Sequence, residues 1–169
     1  NDSDISLNIN QKILKKVHSS WENYDVILGE HIFLDRIPLI KIIKYGKIAF
    51  LRNPKAIFKK GRTIRFQFDM FHGNGVLDKA INLLDQNDRE DFKFYVRNNI
   101  SFNCGNMFIC RSKELMNRYY ETIFPWLEKC EATFGFKLKG YESRIYGFLA
   151  ERFMAFWFNK YSKVKIWPV

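Results

Sequence analysis

Residues 141 to 159 are compatible with little other than a helix inside a protein core. Most side chains in this segment are apolar: Ile145, Phe148, Leu149, Phe153, Phe156, Trp157 and Phe158. A helix that is apolar on nearly all sides is buried. The chain has 169 residues, of which 47% are hydrophobic, and a chain of that size can form a real core. We therefore predict a single domain over residues 1–169 with this helix largely buried.

Charged residues interrupt this helix at helical spacing. Arg144, Gly147, Phe148 and Glu151 are separated by three, four and seven residues and share one face, with Arg152 beside them. Buried charges are costly unless they are paired or used. They form either a structural ion pair or the wall of a site. In a site, Glu151 would take a proton from a hydroxyl and Arg144 or Arg152 would hold a phosphate.

Helical segments alternate with short apolar runs that are typical of buried strands. Such alternation favours an α/β layered domain. The predicted helices cover 9–20, 63–72, 76–84, 88–97, 112–132 and 141–159, and the predicted strands cover 24–29, 107–110 and 164–167. Pro125 should bend or break the helix that Ser112 caps. Residues 37–52 fit either a strand or a helix.

Two turns carry further candidate site residues. Asn103, Gly105 and Asn106 precede the strand at 107–110, where Gly allows close approach of the backbone and amides suit sugar hydroxyls. An ordinary turn is the alternative. His72 ends a helix before a Gly-rich turn, and Asp69 lies close enough in sequence to orient it.

A third candidate is His31, which follows a predicted strand end, where sites on α/β sheets often lie. For any lone histidine, a packing or capping role is the alternative to a role in a site.

The formal net charge is +10, which points to an anionic partner such as nucleic acid, a membrane surface or a phosphorylated ligand. The basic residues are scattered along the sequence, which is typical of a solvated surface. Nucleic-acid binding is disfavoured because most aromatic residues lie on predicted core faces. The three cysteines form no C-x-x-C pair, which argues against a zinc knuckle and fits a reduced, cytosolic protein. No apolar run is long enough to span a bilayer.

The segments quoted above also carry a family resemblance. Residues 21–28, His72, Asn106-Met107-Phe108-Ile109 and Arg144-Ile145-Tyr146-Gly147-Phe148-Leu149-Ala150-Glu151-Arg152 occur in this order. In these segments the chain resembles the carboxy-terminal portion of a bacterial glycosyltransferase-like family of capsule, exopolysaccharide and O-antigen clusters, long catalogued as a domain of unknown function. The likeness covers about residues 20 to 167.

The resemblance implies a GT-A-like, Rossmann-type fold, a nucleotide-sugar donor and a lipid-linked glycan acceptor at the inner membrane. Glu151, or Asp69 with His72, would be the base, and Arg144 and Arg152 would supply positive charge. Because the family's front half is absent from this sequence, the chain alone is expected to bind the donor poorly. The region of likeness contains no Asp-x-Asp pair, so the use of Mn²⁺ or Mg²⁺ is left open. A non-catalytic carbohydrate-binding or membrane-surface module is the alternative function.

Overall fold

The fold is given by a computed structural model that describes residues 19–134 and 144–167. The predicted helix at 9–20 lies outside these residues, apart from its last two positions, which belong to the 3₁₀ turn Ser19–Trp21. The first residues of the predicted helix at 141–159 also lie outside them. Within the described ranges the chain is a mixed α/β domain that is rich in helix and carries two small sheets.

The described residues form seven α-helices and five short strands. The helices are α1 (Leu39–Tyr45), α2 (Lys47–Arg52), α3 (Ile64–His72), α4 (Val76–Asn82), α5 (Gln86–Asn98), α6 (Lys113–Phe134) and α7 (Ile145–Tyr161). The strands are β1 (Val26–Leu28), β2 (His31–Phe33), β3 (Ser101–Asn103), β4 (Phe108–Cys110) and β5 (Val164–Ile166). Single 3₁₀ turns lie at Leu34–Arg36, Pro54–Ile57 and Lys59–Gly61.

Strand β1 is the middle strand of the larger sheet, whose order is β4-β1-β5. It pairs antiparallel with β4, where Ile27 faces Ile109, and parallel with β5, where Ile27 faces Lys165. All three residues of β1 are buried, as its continuous apolar run predicts. The second sheet pairs β2 and β3 antiparallel, with His31 opposite Asn103.

Helix α7 lies at the centre of the core, which confirms the prediction that it is largely buried. Phe153 is fully buried, and its ring contacts those of Phe92, Trp126 and Phe156. Trp126 also donates a hydrogen bond from Nε1 to the carbonyl oxygen of Ala80, at 2.7 Å. The aromatic residues of α7 therefore join helices α4, α5 and α6 into one core.

The segment left undecided between strand and helix, residues 37–52, is helical. Helices α1 and α2 meet at Gly46, where an added Cβ would lie 2.7 Å from the Met70 side chain. Only a narrow stripe of these helices and the following turn is buried, and it contains Ile42, Ala49 and Ala56 at intervals of seven residues. This stripe packs on α3 through Phe66 and Met70.

Two details of the fold differ from the sequence-based predictions. Pro125 neither breaks nor ends α6, which runs continuously from Lys113 to Phe134. Proline removes only one backbone donor, and the buried neighbours Ile123 and Trp126 hold the helix against the core on both sides of it. The pair β2–β3 was not predicted, because β2 is exposed at all three positions and β3 is a single Phe between two polar residues, so neither forms an apolar run.

Candidate functional site

An open groove of about 350 Å³ lies where helices α3 and α7 meet the β2–β3 pair. Its walls combine apolar rings with a few polar side chains. The lining residues are Ile32, Gln67, Phe71, His72, Phe102, Phe148, Glu151 and Arg152. The groove therefore contains three of the predicted site residues, namely His72, Glu151 and Arg152.

The carboxylate of Glu151 is fixed at the edge of this groove by the turn after β3. Its Oε1 accepts a hydrogen bond from the backbone N–H of Gly105, at 2.5 Å. Gly105 has φ +74°, a left-handed conformation that other residues rarely adopt. The side-chain amide of Asn106 also donates to the carbonyl oxygen of Gly147, at 3.0 Å. The turn and the start of α7 are thus joined at two points, as expected if both belong to one site.

Arg152 is the buried cation of α7, with only 2% of its surface exposed. Its guanidinium forms an ion pair with Glu151 and donates to Gln67 Oε1 at 2.9 Å. It also lies over the Phe102 ring, 4.6 Å from the centroid. These contacts correct the prediction that Arg152 could hold a phosphate: a guanidinium so enclosed supports Glu151 and has little surface left for a ligand.

The imidazole of His72 forms part of an aromatic wall. It stacks on Phe148 with the ring centroids 4.1 Å apart and meets Phe68 edge-on at 4.8 Å. Burial and the nearby positive charge of Arg152 lower the pKa of His72 to about 4. His72 is therefore neutral at pH 7, and one ring nitrogen can accept a hydrogen bond from a ligand hydroxyl.

This lowered pKa predicts a pH dependence of stability. Between pH 6.5 and 4 the unfolded chain binds a proton at His72 that the folded chain does not, so the free energy of unfolding falls as the pH falls. His72→Phe keeps a ring in place and should reduce this loss by about 2 kcal/mol. Urea unfolding at pH 7 and pH 4.5 measures the difference. An unchanged difference between pH 7 and pH 4.5 in His72→Phe would contradict the assignment.

The partners of the Asp69 carboxylate are groups other than His72. Its Oδ1 accepts the backbone N–H of Gly75 at 2.9 Å, and its Oδ2 lies 3.7 Å from Arg65. Asp69 lines a different cavity, beside Gly46 and Met70. Burial raises the pKa of this carboxyl, against the lowering effect of the Gly75 hydrogen bond. The prediction that Asp69 orients His72 is therefore replaced by a structural role at the end of α3.

Arg144 and His31 are exposed, and neither is among the residues that line the groove. Arg144 is the N-cap residue of α7, and its guanidinium lies 5.6 Å from the centre of the Phe148 ring. The expectation that it is a buried charge is wrong, because it precedes the first buried turn of the helix. His31 is next to Ile32 in β2, and Ile32 lines the groove. Because successive side chains of a strand point to opposite faces of the sheet, His31 lies on the face of β2 away from the groove.

Asn103 is fully buried at the end of β3. Its amide nitrogen donates to the carbonyl oxygen of Gly29 at 2.6 Å and so secures the connection between β1 and β2. Its Oδ1 has no hydrogen-bond partner among the described residues. Asn103 follows the groove residue Phe102 in β3, so its side chain lies on the opposite face of the strand. Its contribution to the site is therefore structural.

Sequence reasoning missed Gln67 and Phe71 as groove residues. They are four residues apart on α3 and hence lie on one face, next to His72. The available signal was the spacing of Gln67, Phe71 and His72 on α3. Phe71 lines the groove, and 41% of its surface is exposed.

No set of three or more His, Cys, Asp or Glu side chains within 19–134 and 144–167 is arranged to share a metal ion. A separate cavity of about 300 Å³ lies between the start of α5 and helix α6, lined in part by Asp85, Asp88, Arg118 and Tyr161. It contains none of the predicted site residues, and two of its carboxylates are paired, Asp88 with Lys160 at 2.9 Å and Asp85 with Lys129 at 3.1 Å.

Comparison with known proteins gives one match. Residues 39–163 match the family described as Domain of unknown function (DUF4422). The comparisons with curated proteins and with solved structures gave no match. The match spans most of the chain and includes the groove residues from Gln67 to Arg152. The chain therefore belongs to the DUF4422 family.

Proposed function

We propose that this chain is the acceptor-side portion of a glycosyltransferase that moves a sugar from a nucleotide-sugar donor to a growing surface polysaccharide. The observation that carries the proposal is the groove in which Glu151, Gln67 and His72 meet exposed aromatic rings. Sugars present hydroxyls around an apolar ring face, and sites for them combine aromatic surfaces with a few fixed polar groups. The capsule, exopolysaccharide or O-antigen context comes from the family resemblance.

The arrangement suggests a division of roles during transfer. The acceptor hydroxyl attacks the anomeric carbon, the bond to the nucleoside diphosphate breaks, and the hydroxyl proton passes to the carboxylate of Glu151. Arg152 acts as a positioning residue, because its ion pair and the Gly105 N–H hold that carboxylate in place. Arg144 is exposed beside Phe148 and can meet the negative charge that develops on the departing diphosphate.

The proposal extends to the fold and the setting of the reaction. We propose a GT-A-like arrangement, supported by the parallel pairing of β1 with β5 and by the direct succession of α7 and β5. The acceptor would be a lipid-linked glycan, which places the reaction at the cytoplasmic face of the inner membrane. A requirement for Mn²⁺ or Mg²⁺ stays a prediction, and the roles given above do not depend on it.

One observation favours a second function, a carbohydrate-binding module without catalysis. Both carboxylate oxygens of Glu151 already have protein partners, Gly105 and Arg152. Oxygens that already have protein partners leave fewer positions for taking the proton of a hydroxyl, although a carboxylate still accepts hydrogen bonds from hydroxyls. The two functions share the groove and differ in whether a glycosidic bond is formed, which an assay of transfer distinguishes.

Binding in the groove can be tested with a panel of nucleotide sugars in a thermal-shift experiment. A ligand present at about a hundred times its Kd should raise Tm by roughly 5 °C. Phe71→Ala removes an exposed ring of the groove and should weaken the apparent affinity about tenfold. Phe94→Ala removes a similarly exposed ring outside the groove and should change nothing. Equal effects of the two substitutions, or no shift with any nucleotide sugar in a longer chain that includes the family's front half, would contradict binding at this site.

A further inference from the structure

The positive charge of the chain is concentrated in one layer of the fold. Between Asp35 and Asp69 the sequence contains no acidic residue. It contains ten basic ones: Arg36, Lys41, Lys44, Lys47, Arg52, Lys55, Lys59, Lys60, Arg62 and Arg65. The rest of the chain has equal numbers of acidic and basic residues, so this segment carries the whole formal net charge of +10. The sequence analysis described the basic residues as scattered, whereas these ten lie together between Asp35 and Asp69; all but the buried Arg62 are at least partly exposed.

The same layer exposes an unusual number of large apolar side chains. Helices α1 and α2 and the turns that follow bury only a narrow stripe against α3, so their outer surface faces outward. Ile40 and Leu51 have 78% and 79% of their surface exposed. Other exposed apolar residues of this layer are Leu39, Ile43, Tyr45, Ile48, Ile57 and Phe58. We call the outer surface of residues 38–60 the basic apolar face.

Lysines and apolar residues alternate on the outer side of these helices. In α1, Ile40, Ile43 and Lys44 lie opposite the buried Ile42, and in α2, Lys47 and Leu51 lie opposite the buried Ala49. An amphipathic surface of this kind, with aliphatic tips between lysines, is typical of helices that lie in the headgroup region of a bilayer.

We propose that the basic apolar face docks this protein on an anionic lipid bilayer. The lysines would meet lipid phosphates, and Ile40 and Leu51 would enter the boundary between headgroups and acyl chains. Six of the eight exposed apolar side chains of this face are aliphatic, and such side chains offer little to a nucleic acid, which uses stacking rings beside its phosphate contacts. None of the helices in the described ranges has the length and apolar character needed to cross a membrane. The proposal does not depend on sugar transfer, since residues 38–60 contribute nothing to the lining of the groove.

Co-sedimentation of the chain with vesicles tests this proposal. We expect binding to phosphatidylcholine vesicles that contain about one third phosphatidylglycerol, and little binding to phosphatidylcholine alone. Replacing Lys44, Lys47 and Lys55 together by Gln should weaken binding on the order of a hundredfold, because each lysine near an anionic surface contributes roughly fivefold. The matched control replaces Lys113, Lys129 and Lys163 by Gln, removes the same charge from other surfaces, and should change binding less than about threefold.

A second pair of variants tests the apolar part. Ile40→Ser with Leu51→Ser should weaken binding roughly a hundredfold, whereas Phe94→Ser with Phe124→Ser removes exposed rings elsewhere and should have little effect. All four positions are exposed, so circular dichroism should show unchanged folding. The proposal is overturned if anionic vesicles do not bind, if each control loses as much binding as its partner, or if the chain prefers a polynucleotide to the vesicles. Nucleotide-sugar binding in the groove should be unaffected by any of these variants.

Discussion

Arg152→Met should lower the free energy of unfolding by about 3–5 kcal/mol, the usual cost of removing one member of a buried ion pair. The guanidinium is 3% exposed and its partner carboxylate on Glu151 is 18% exposed, so water cannot replace the lost partner fully. The substitution also leaves Gln67 Oε1 without its donor. Since small domains are stable by only about 5–15 kcal/mol, the loss should shift the urea midpoint strongly.

A double-mutant cycle separates the pair from the packing of the arginine stem. Glu151→Gln alone should also destabilise the chain, and the double variant should be more stable than the sum of the single effects predicts, by about 1–3 kcal/mol. Arg97→Met is the matched control, because Arg97 pairs with Asp78 on the surface and should contribute less than about 1 kcal/mol. Additive effects of the two substitutions would show that Glu151 and Arg152 are not coupled.

Much of the fold followed from local sequence patterns. The apolar run at β1, the Ser112 cap of α6 and the long apolar helix α7 are each encoded within a few neighbouring residues, and the structure confirms them. The Ser112 hydroxyl accepts the N–H of Leu115 at 3.1 Å, as an N-cap should. Residues 37–52 could not be assigned to helix or strand from the sequence. The stripe that they bury is only one residue wide, so the apolar residues do not recur with a clear helical period.

Three of the eight residues that line the candidate groove were among the predicted site residues, whereas their arrangement was not predicted. The pattern of α7 and the turn at 103–106 pointed to Glu151 and Gly105, which do meet. Sequence spacing did not show which of the two arginines is buried, because Arg144 and Arg152 both lie near the shared face. The difference depends on where the helix begins, since Arg144 precedes its first turn. Likewise, Asp69 was assigned to His72 from proximity in sequence, whereas the tight turn at Gly73–Gly75 brings a backbone donor to its carboxylate instead.

Glu151→Gln should lower the rate of sugar transfer at least a hundredfold if Glu151 accepts the proton of the acceptor hydroxyl. The amide oxygen can still accept the Gly105 N–H, so the turn keeps its contact while the basic group is lost. Because the change also weakens the pairing with Arg152, the comparison belongs at a temperature where circular dichroism shows the variant to be folded. Glu128→Gln, an exposed change on α6, is the matched control.

The most direct test is therefore release of nucleoside diphosphate, measured with the nucleotide sugar that raises Tm most and a lipid-linked glycan extract as acceptor. For a longer chain that includes the family's front half, we predict acceptor-dependent turnover with the unaltered sequence and with Glu128→Gln, and a loss of at least about a hundredfold for folded Glu151→Gln. Turnover by folded Glu151→Gln that equals that of the unaltered chain would contradict the assignment of Glu151 as the base. Binding of nucleotide sugars without any turnover would assign the groove to carbohydrate binding alone.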